Sequence, residues 1–257
     1  MSARAKYTIR QCRRQEELAA CTGLQKRIWG YSDLDVYPLR LFVNLGKIGG
    51  HVIGAFAPAG KLVGFVAAMP ACRGGRRYLY SLSLGVLPGH ENRGLGKALK
   101  LAQRRVARQA GIDVIEWTFD PLQARNAHFN IVRLGAIARR YLADHYGPVA
   151  SRLQHRRPSD RLVAEWWLNS PRVRRALSGR QARTAANVPA AQVSIPLSIA
   201  SLAKANPRRA REEQARVGKQ LRQCFARGLA ITGFTLNERS GAYHLGLLRE
   251  TGIPRGV

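Results

Sequence analysis

The sequence predicts an α/β (α+β) fold in which a mixed, mostly antiparallel β-sheet is flanked by helices and followed by a small C-terminal extension. Three observations lead to this prediction. Short β-rich segments alternate with amphipathic helical segments between residues 7 and 168. Two of the β-rich segments are joined by a short turn with Pro and Gly, which indicates an antiparallel hairpin. A change of composition after Leu168 separates the extension from this first region.

The first predicted elements are a strand, a helix and a β-hairpin. Tyr7–Cys12 alternates as a half-buried strand does, and Glu16–Trp29 places apolar residues at helical spacing. Gly49–Phe56 and Leu62–Met69 are rich in residues that favour strands. The segment between them, Ala57–Lys61, contains Pro and Gly and therefore predicts a hairpin turn.

The middle of the chain alternates strands with helices. The predicted strands are Arg77–Val86, Val114–Phe119, Ile137–Tyr141 and Leu162–Trp167. The predicted helices are Gly94–Ala110, which Gly111 closes, and Arg125–Leu134, which Gly135 closes. This order predicts a mixed sheet with one helix on each side of the strand near Val114.

The chain after Leu168 is predicted to form two further parts. We interpret residues 169–205 as an Arg-rich linker with short helices, one of which begins at Ser170 and Pro171. Residues 206–250 are predicted to form a helix, opened by Asn206, and a β-hairpin. The amphipathic pattern of this helix indicates that it docks against residues 7–168 or against a second subunit, which would make a homodimer.

The composition excludes several classes of protein. The N-terminus has basic residues without an apolar run behind them, and the longest apolar stretch, His51–Met69, is interrupted by Pro58, Gly60 and Lys61. We therefore expect neither a signal peptide nor a membrane partner. The four cysteines lie far apart without CxxC or CxxH spacing, which predicts reduced thiols in a cytoplasmic protein and no metal site.

The formal net charge of +28 has two interpretations. Clustered cations bind nucleic acid by releasing phosphate counterions, which would make this a basic nucleic-acid-associated protein. Alternatively, the charge is a solvated surface that reflects an Arg-biased composition, since 35 of the 43 basic residues are Arg and they are spread along the chain. No recognisable nucleic-acid-binding motif accompanies them, so we favour the second interpretation.

Residues 84–99 contain the most informative pattern of the sequence. A strand leads into a loop with Gly94 and Gly96, and a helix begins there. Glycines allow the backbone to approach a phosphate closely, and the helix N-terminus directs free N–H groups toward it. Arg93 and Lys97 can add charge-assisted hydrogen bonds. The pattern therefore predicts a site for a diphosphate or a similar anion.

Two better-known phosphate-binding motifs do not match this segment. A Walker A loop requires Gly five residues before Gly96 and Ser or Thr after Lys97, where this chain has Glu91 and Ala98. A dinucleotide-binding fingerprint requires Gly at the position of Leu99. The remaining alternative is an ordinary strand-to-helix turn that contains two glycines.

The helix that follows the turn is predicted to be amphipathic. Leu95 and Leu99 are expected to face the core, whereas Lys97, Lys100 and Arg104 are expected to face solvent.

The segment Glu91-Asn92-Arg93-Gly94-Leu95-Gly96 resembles the Q/R-x-x-G-x-G/A motif of the GNAT (GCN5-related N-acetyltransferase) acyltransferases. The likeness covers roughly residues 7–168 and implies a GNAT-like fold. The chain also looks like a bacterial subset of GNAT proteins with a C-terminal extension, through Asp120-Pro121-Leu122, Asn126-Ala127, Asn130 and Leu134-Gly135.

The resemblance implies a co-substrate and its binding residues. The co-substrate is acetyl-CoA or another acyl-CoA, and the acceptor is an amine of a small molecule or a protein. The backbone amides that would hold the coenzyme A diphosphate are those of Asn92, Arg93, Gly94, Leu95, Gly96 and Lys97. Leu84, Gly85 and Val86 would hydrogen-bond the pantetheine arm, and Asn126 could meet the pantetheine or the acceptor.

Two departures from the family pattern leave the activity open. The first motif position is usually Gln or Arg, and here it is Glu91. Many members have a proton-donating Tyr four residues before the Gly that ends the second helix, where this chain has Ile131. The alternative to an active acyltransferase is therefore a weak or inactive GNAT-shaped module that binds coenzyme A.

Two carboxylates are candidates for the general base. Glu116 and Asp120 lie on the same face of the strand Val114–Phe119 and its extension, because side chains alternate along a strand. Each has a structural alternative. Glu116 could occupy a solvated strand position, and Asp120 with Pro121 and Gln123 has the pattern of a helix N-cap, which we favour for Asp120.

Overall fold

The structure, a computed structural model, describes residues 7–147, 157–179 and 189–248. Within these ranges the chain forms two compact units, one up to Ile115 and the other from Glu116 onward. The division falls inside a strand, whereas the sequence predicted a boundary after Leu168. The predicted fold class is confirmed, because helices flank largely antiparallel strands.

The strands and helices of the described residues are numbered in chain order. The strands are β1 (Thr8–Gln11), β2 (His51–Phe56), β3 (Leu62–Arg73), β4 (Arg76–Val86), β5 (Val114–Phe119), β6 (Ile137–Leu142), β7 (Arg161–Trp167), β8 (Ala191–Pro196), β9 (Leu229–Leu236) and β10 (Ser240–Leu247). The helices are α1 (Gln15–Trp29), α2 (Leu39–Leu45), α3 (Leu95–Gln109), α4 (Ala124–His128), α5 (Pro171–Leu177), α6 (Ile199–Ala205) and α7 (Pro207–Ala226).

The first unit contains an antiparallel sheet in the order β1-β2-β3-β4. The turn at Ala57–Lys61 forms as predicted, with the Ala57 N–H donating to the Lys61 carbonyl at 2.9 Å. Strand β3 continues past its predicted end at Met69, because it pairs with β4 as far as Arg73 through a hairpin of two glycines with positive φ.

The core of the first unit includes a helix that the sequence did not predict. Helix α2 buries Phe42 and Leu45, and the Phe42 ring packs edge-on against Phe65 of β3 with the ring centroids 5.9 Å apart. The helix begins after Pro38, which serves as its N-cap. It was missed because seven residues are too few to show a clear helical period.

The second unit has the strand order β5-β7-β6-β9-β10-β8, to which β5 contributes its residues from Glu116. Strand β6 pairs antiparallel with β7, and Ala138 of β6 opposes Ile231 of β9. The hairpin predicted at the C-terminus therefore continues the sheet through β9. Residues 206–248 are integrated with β6 and β7 in one unit, and residues 249–250 of the predicted extension lie outside the described residues.

The predicted linker contains more regular structure than expected. Helix α5 begins as predicted, since the Ser170 Oγ accepts from the Val173 N–H at 3.2 Å. Strand β8 was missed, although it pairs with β10 and buries Val193 and Ile195. Two alternating apolar residues are too weak a strand signal amid Arg-rich sequence. Residues 180–188 of this predicted linker lie outside the described residues.

The helix predicted at Arg125–Leu134 is regular only in its first half. After α4 the chain continues as a π-helical turn, Phe129–Arg133, in which the Leu134 N–H donates to the Phe129 carbonyl five residues earlier. Gly135 follows with φ of +77°, as predicted for the end of a helix. Among all described residues, no helix is both long and apolar enough to cross a bilayer.

Candidate functional site

The predicted anion site is a turn between β4 and α3 with an unusual backbone. Gly89, Asn92 and Gly94 all have positive φ, of +85°, +58° and +80°. Asn92 is one of the few residue types other than Gly that adopt this region readily. These three residues coil the chain tightly between the end of β4 and the first turn of α3.

The opening amides of α3 lack hydrogen-bond partners among the described residues. The first backbone bond into this helix is donated by Ala98 to the Gly94 carbonyl, at 3.0 Å. The N-cap, Gly94, has no side chain to accept from the amides that precede this bond, and the first turn contains no acidic residue. The six amides from Asn92 to Lys97 therefore lie at the positive end of the helix, where an anion is favoured.

Space and charge at this turn are compatible with an anion. An atom added at the Cβ position of Gly94 would find no other atom within 4 Å. Arg93 is exposed and Lys97 is half-buried, so both cations border the unpaired amides. Glu91, the departure from the family motif, is also exposed to solvent.

The three residues predicted for the pantetheine differ in where their backbone groups point. The Leu87 N–H donates to the carbonyl of Val63 on β3, at 2.8 Å. Since backbone groups alternate along an antiparallel strand, Gly85 also directs its N–H and C=O toward β3, whereas Leu84 and Val86 direct theirs to the opposite side. A Cβ on Gly85 would lie 2.8 Å from the Ile28 Cδ1, so α1 packs closely against β4 at this glycine.

Lys100 is buried, so the prediction that it faces solvent was wrong. Its Nζ donates to the Gln103 Oε1 at 2.7 Å and to the Ser81 Oγ at 3.3 Å, and the Gln103 amide also donates to Ser81. Burial lowers the pKa of the Lys100 amine well below its usual value. Ser81 on β4 and Gln103 on α3 provide hydrogen-bond partners, so the Lys100 amine can be buried. Helical periodicity alone does not predict such partners.

Glu116, the first candidate base, lies in the second unit within a cluster of charged residues. The Arg140 Nη2 donates to the Glu116 Oε1 at 2.6 Å, and Glu116 is 5% exposed. Arg139 donates to both carboxylate oxygens of Glu165, each at 3.0 Å. Arg139 has no opposite residue on β7, and such a bulge lets two successive side chains of β6 reach carboxylates.

Asp120, the second candidate base, also has its oxygens occupied. Its Oδ1 accepts from the Leu122 N–H at 2.8 Å, and its Oδ2 accepts from the buried Arg157 at 3.0 Å. Helix α4 begins three residues later than predicted from Asp120-Pro121, with Gln123 as its N-cap. Asp120 therefore stabilises a turn before the helix, a role close to the predicted cap.

Helix α4 bears the third predicted residue of the second unit. Asn126 is exposed and accepts from the Asn130 Nδ2 at 3.4 Å. Ile131, at the position where a proton donor was expected from the family pattern, is fully buried. His128 lies on the same helix and is half-buried, and both burial and the charge of Arg133 lower the pKa of its imidazole.

Tyr7 and His90 are site residues that the sequence did not reveal. The Tyr7 hydroxyl is 3.0 Å from the His90 Nδ1, and the Arg93 Nη1 donates to the same hydroxyl at 3.2 Å. Tyr7 is separated from these residues by more than 80 positions, so no local pattern could have indicated the contact.

The first unit also contains a small cavity away from the turn. Its volume is about 310 Å³, and its lining includes Cys12, Arg13, Phe42 and Val52. None of the residues predicted to bind coenzyme A lines it.

A glycine-rich turn, whose amides have no partner among the described residues, lies between an antiparallel sheet and a helix in a domain of the α/β class. Residues 15–131, somewhat less than half of the chain, match the model of the Acetyltransferase (GNAT) family, and the turn lies within this range. This part of the chain is therefore similar to the Acetyltransferase (GNAT) family.

Solved structures with low sequence identity share this fold. A proposed acetyltransferase from Acinetobacter baylyi ADP1 superposes with a TM-score of 0.54 at 15% identity, over 66% of this chain and 97% of that chain. An acetyltransferase of the GNAT family from Streptococcus pneumoniae superposes with a TM-score of 0.50 at 16% identity, over 62% of this chain and 98% of that chain.

One further structural match covers only a small part of a larger protein, and the curated proteins give no match. The GCN5-related glucosamine N-acetyltransferase region of a fungal multi-domain GH3 beta-N-acetylglucosaminidase has a TM-score of 0.42 at 20% identity, and the match covers 52% of this chain but 18% of that chain. No curated protein sequence matches the chain significantly.

Proposed function

We propose that this protein is an acyl-CoA-dependent N-acyltransferase that binds the coenzyme A diphosphate at the turn between β4 and α3. One observation supports this proposal most directly. The amides from Asn92 to Lys97 have no partner among the described residues and lie beside two cations, at a turn inside the region that matches the GNAT family model. An N-terminal helix turn of this kind is a ready site for a phosphate group.

Several residues of the chain would hold the coenzyme. The diphosphate would accept from the amides named above and from the side chains of Arg93 and Lys97. Leu84 and Val86 would offer backbone groups to the pantetheine, since theirs point away from β3. Asn126 is exposed on α4 and is the remaining candidate for a polar contact. Gly85, which has no side chain, would instead allow α1 to pack closely against β4.

The chemistry that we propose is transfer of an acyl group to an amine. Acyl-CoA supplies an activated thioester, and the nitrogen of the acceptor forms a bond to its carbonyl carbon while the carbon–sulfur bond breaks. The amine must lose a proton, and the departing thiolate must gain one. A backbone N–H such as that of Val86 would stabilise the developing negative charge on the carbonyl oxygen.

Glu116 and Asp120 remain our candidates for the general base, and their contacts make a structural role the stronger alternative. Each carboxylate is paired with an arginine, Glu116 with Arg140 and Asp120 with Arg157. We expect either residue to act as a base only if the arginine moves or if a water molecule relays the proton.

The second candidate function is a GNAT-shaped module that binds coenzyme A with little or no turnover. Two observations favour it. Ile131 cannot donate a proton, and both candidate carboxylates are engaged by arginines. Release of the coenzyme A thiol from acetyl-CoA, measured with a panel of amines, separates the two functions, because turnover with any amine rejects the inactive module.

Coenzyme binding itself is tested by thermal denaturation with acetyl-CoA, free coenzyme A and longer acyl-CoAs. At a ligand concentration of about 100 Kd, binding should stabilise the protein by about 2.7 kcal/mol, a rise in melting temperature of several degrees. Gly94→Asp should abolish this rise, since a carboxylate would face the unpaired amides.

The matched control for this experiment is Gly60→Asp. Gly60 has φ of +77° and no neighbouring atom within 4 Å of its Cβ position, so the same change is made in a similar backbone at the β2–β3 turn. We expect Gly60→Asp to keep the full ligand-induced rise. If the wild-type protein shows no rise, or Gly94→Asp shows the same rise, the proposed site is wrong.

A further inference from the structure

A long-range contact ties the N-terminal end of β1 to the proposed coenzyme turn. Tyr7 directly precedes β1, and its hydroxyl meets both His90 and Arg93. The rings of Tyr7 and His90 also pack edge-on, with their centroids 5.9 Å apart and an interplanar angle of 84°. One side chain thus contacts the turn at two positions.

The two hydrogen bonds form a directional chain. The guanidinium of Arg93 can only donate, so the Tyr7 oxygen accepts from its Nη1. The Tyr7 hydroxyl is then free to donate its proton to the His90 Nδ1, which requires the imidazole proton to lie on Nε2. The Arg93 guanidinium therefore donates to Tyr7, and the Tyr7 hydroxyl donates to His90.

Few other contacts hold this turn among the described residues. Within it, the His90 N–H donates to the Leu87 carbonyl at 3.0 Å, and Leu87 itself is bonded to Val63. Arg93 is exposed, and a free arginine side chain loses conformational entropy when a ligand orders it. The Tyr7 contact orders this side chain in advance.

We infer that Tyr7 is a positioning residue that preorganises Arg93 to bind the diphosphate of the acyl-CoA. This inference rests on the proposed function. Nη1 of Arg93 donates a hydrogen bond to Tyr7. The other guanidinium nitrogens keep N–H groups that can donate hydrogen bonds to phosphate oxygens. Arg93 directly precedes Gly94, at the same turn as the unpaired amides, so the diphosphate is the phosphate group it meets.

Tyr7→Phe tests the inference, because it removes the hydroxyl and keeps the ring packing against His90. We expect this variant to bind coenzyme A about three- to tenfold more weakly by isothermal titration calorimetry, the effect of losing one positioning hydrogen bond. Dephospho-coenzyme A retains the diphosphate and lacks the 3′-phosphate, so its affinity should fall by the same factor. A loss confined to coenzyme A would overturn the assignment to the diphosphate.

Tyr78→Phe is the matched control. The Tyr78 hydroxyl accepts from the Arg73 Nη2 at 2.8 Å, so the same substitution removes a tyrosine–arginine bond in the β3–β4 hairpin. We expect this variant to bind coenzyme A with the affinity of the wild-type protein. Equal weakening by both substitutions would show a general loss of stability and would overturn the inference.

A double-mutant cycle with Arg93→Met separates positioning from direct contact. If Tyr7 acts through Arg93, then Tyr7→Phe should weaken binding in the wild-type background and have no further effect in the Arg93→Met background. An undiminished effect of Tyr7→Phe in that background overturns the inference. Wild-type protein that binds no coenzyme A refutes the proposed function, whereas wild-type binding with an unaffected Tyr7→Phe variant refutes this inference alone.

Discussion

Gly218 of α7 lies directly against the hydroxyl of Tyr141 on β6, and a Cβ at this glycine would come within 2.5 Å of that oxygen. The hydroxyl is anchored, since it donates to the Asp160 Oδ2 at 2.6 Å. Burial and this acidic partner raise the pKa of the Tyr141 phenol. The helix can approach the sheet at this point because residue 218 has no side chain.

We expect Gly218→Ala to destabilise the protein by about 1–3 kcal/mol, because the added methyl group must displace an anchored tyrosine. The matched control is Gly23→Ala in the middle of α1, where no atom lies within 4 Å of the Cβ position. There, the higher helix propensity of alanine should stabilise the protein by about 0.5–1 kcal/mol. Chemical denaturation measures both values, and shifts of the same sign would contradict the packing argument.

Arg172 is expected to stabilise the end of the π-helical turn. Its Nε donates to the Gly135 carbonyl at 2.9 Å and its Nη2 to the Ile131 carbonyl at 3.0 Å, where the chain leaves the helix. Arg172→Met leaves these carbonyls without a partner and should cost about 2–3 kcal/mol in unfolding free energy.

The control for Arg172 is Arg174→Met. Arg174 also donates to a backbone carbonyl, that of Asn169, but it is exposed, so water can replace the bond. We expect a change within about 0.5 kcal/mol. Equal destabilisation by both substitutions would mean that the carbonyls at the end of the π-helical turn are not the source of the effect.

The role of Glu116 is tested by comparison with Glu165, a buried carboxylate of the same arginine cluster that is not a candidate base. If Glu116 is structural, Glu116→Gln and Glu165→Gln should each lose about 2–4 kcal/mol of stability and keep turnover within about tenfold of one another. A general base would instead lose about 100-fold or more in kcat for Glu116→Gln alone. Melting curves and thiol release provide the two measurements.

Glu17 should contribute to stability in a pH-dependent way. The hydrogen bond from Arg10, followed by those from the backbone amides of Arg13 and Arg14, lowers the pKa of its carboxyl to about 2. Since the folded-state pKa lies below the unfolded value near 4.5, the stabilisation is complete above about pH 5 and is lost as the pH falls toward 2.

Glu17→Gln should therefore lose about 1–2 kcal/mol at pH 6 and progressively less as the pH falls toward 2. The neighbour Glu16 supplies the control, since Glu16→Gln makes the same substitution at an exposed position and should change stability by less than about 0.5 kcal/mol at pH 6. A Glu17→Gln profile parallel to that of the wild-type protein would show that the carboxyl has no depressed pKa.

The sequence predicted those helices and turns that are bounded by capping residues, proline or glycine. Ser170 and Asn206 cap their helices as expected, because each side-chain oxygen accepts a backbone N–H three residues later. The Pro–Gly turn before Lys61 forms as predicted. The glycine turn before α3 was predicted because backbone torsions and free amides follow directly from residue type and position.

The missed features depend on contacts between distant parts of the chain. Lys100 is buried because Ser81, on another element, offers its amine a partner. Strand β8 forms because β10 pairs with it, and Tyr7 reaches the turn between β4 and α3 from the start of β1. The pairing of Glu116 on β5 with Arg140 on β6 depends equally on a contact between distant parts of the chain, so the sequence could not decide between a base and a structural ion pair.

The pairing of β9 beside β6 limits how this protein can associate with other chains. A strand edge with free backbone groups is a common site for joining sheets of two subunits, and β9 already occupies that side of β6. A protein shortened to residues 1–168 would uncover this edge and should aggregate. In the intact second unit the terminal strand is β8, where Arg216 covers the Ser194 carbonyl and Pro196 ends the ladder, so fewer backbone groups remain there to pair with another chain.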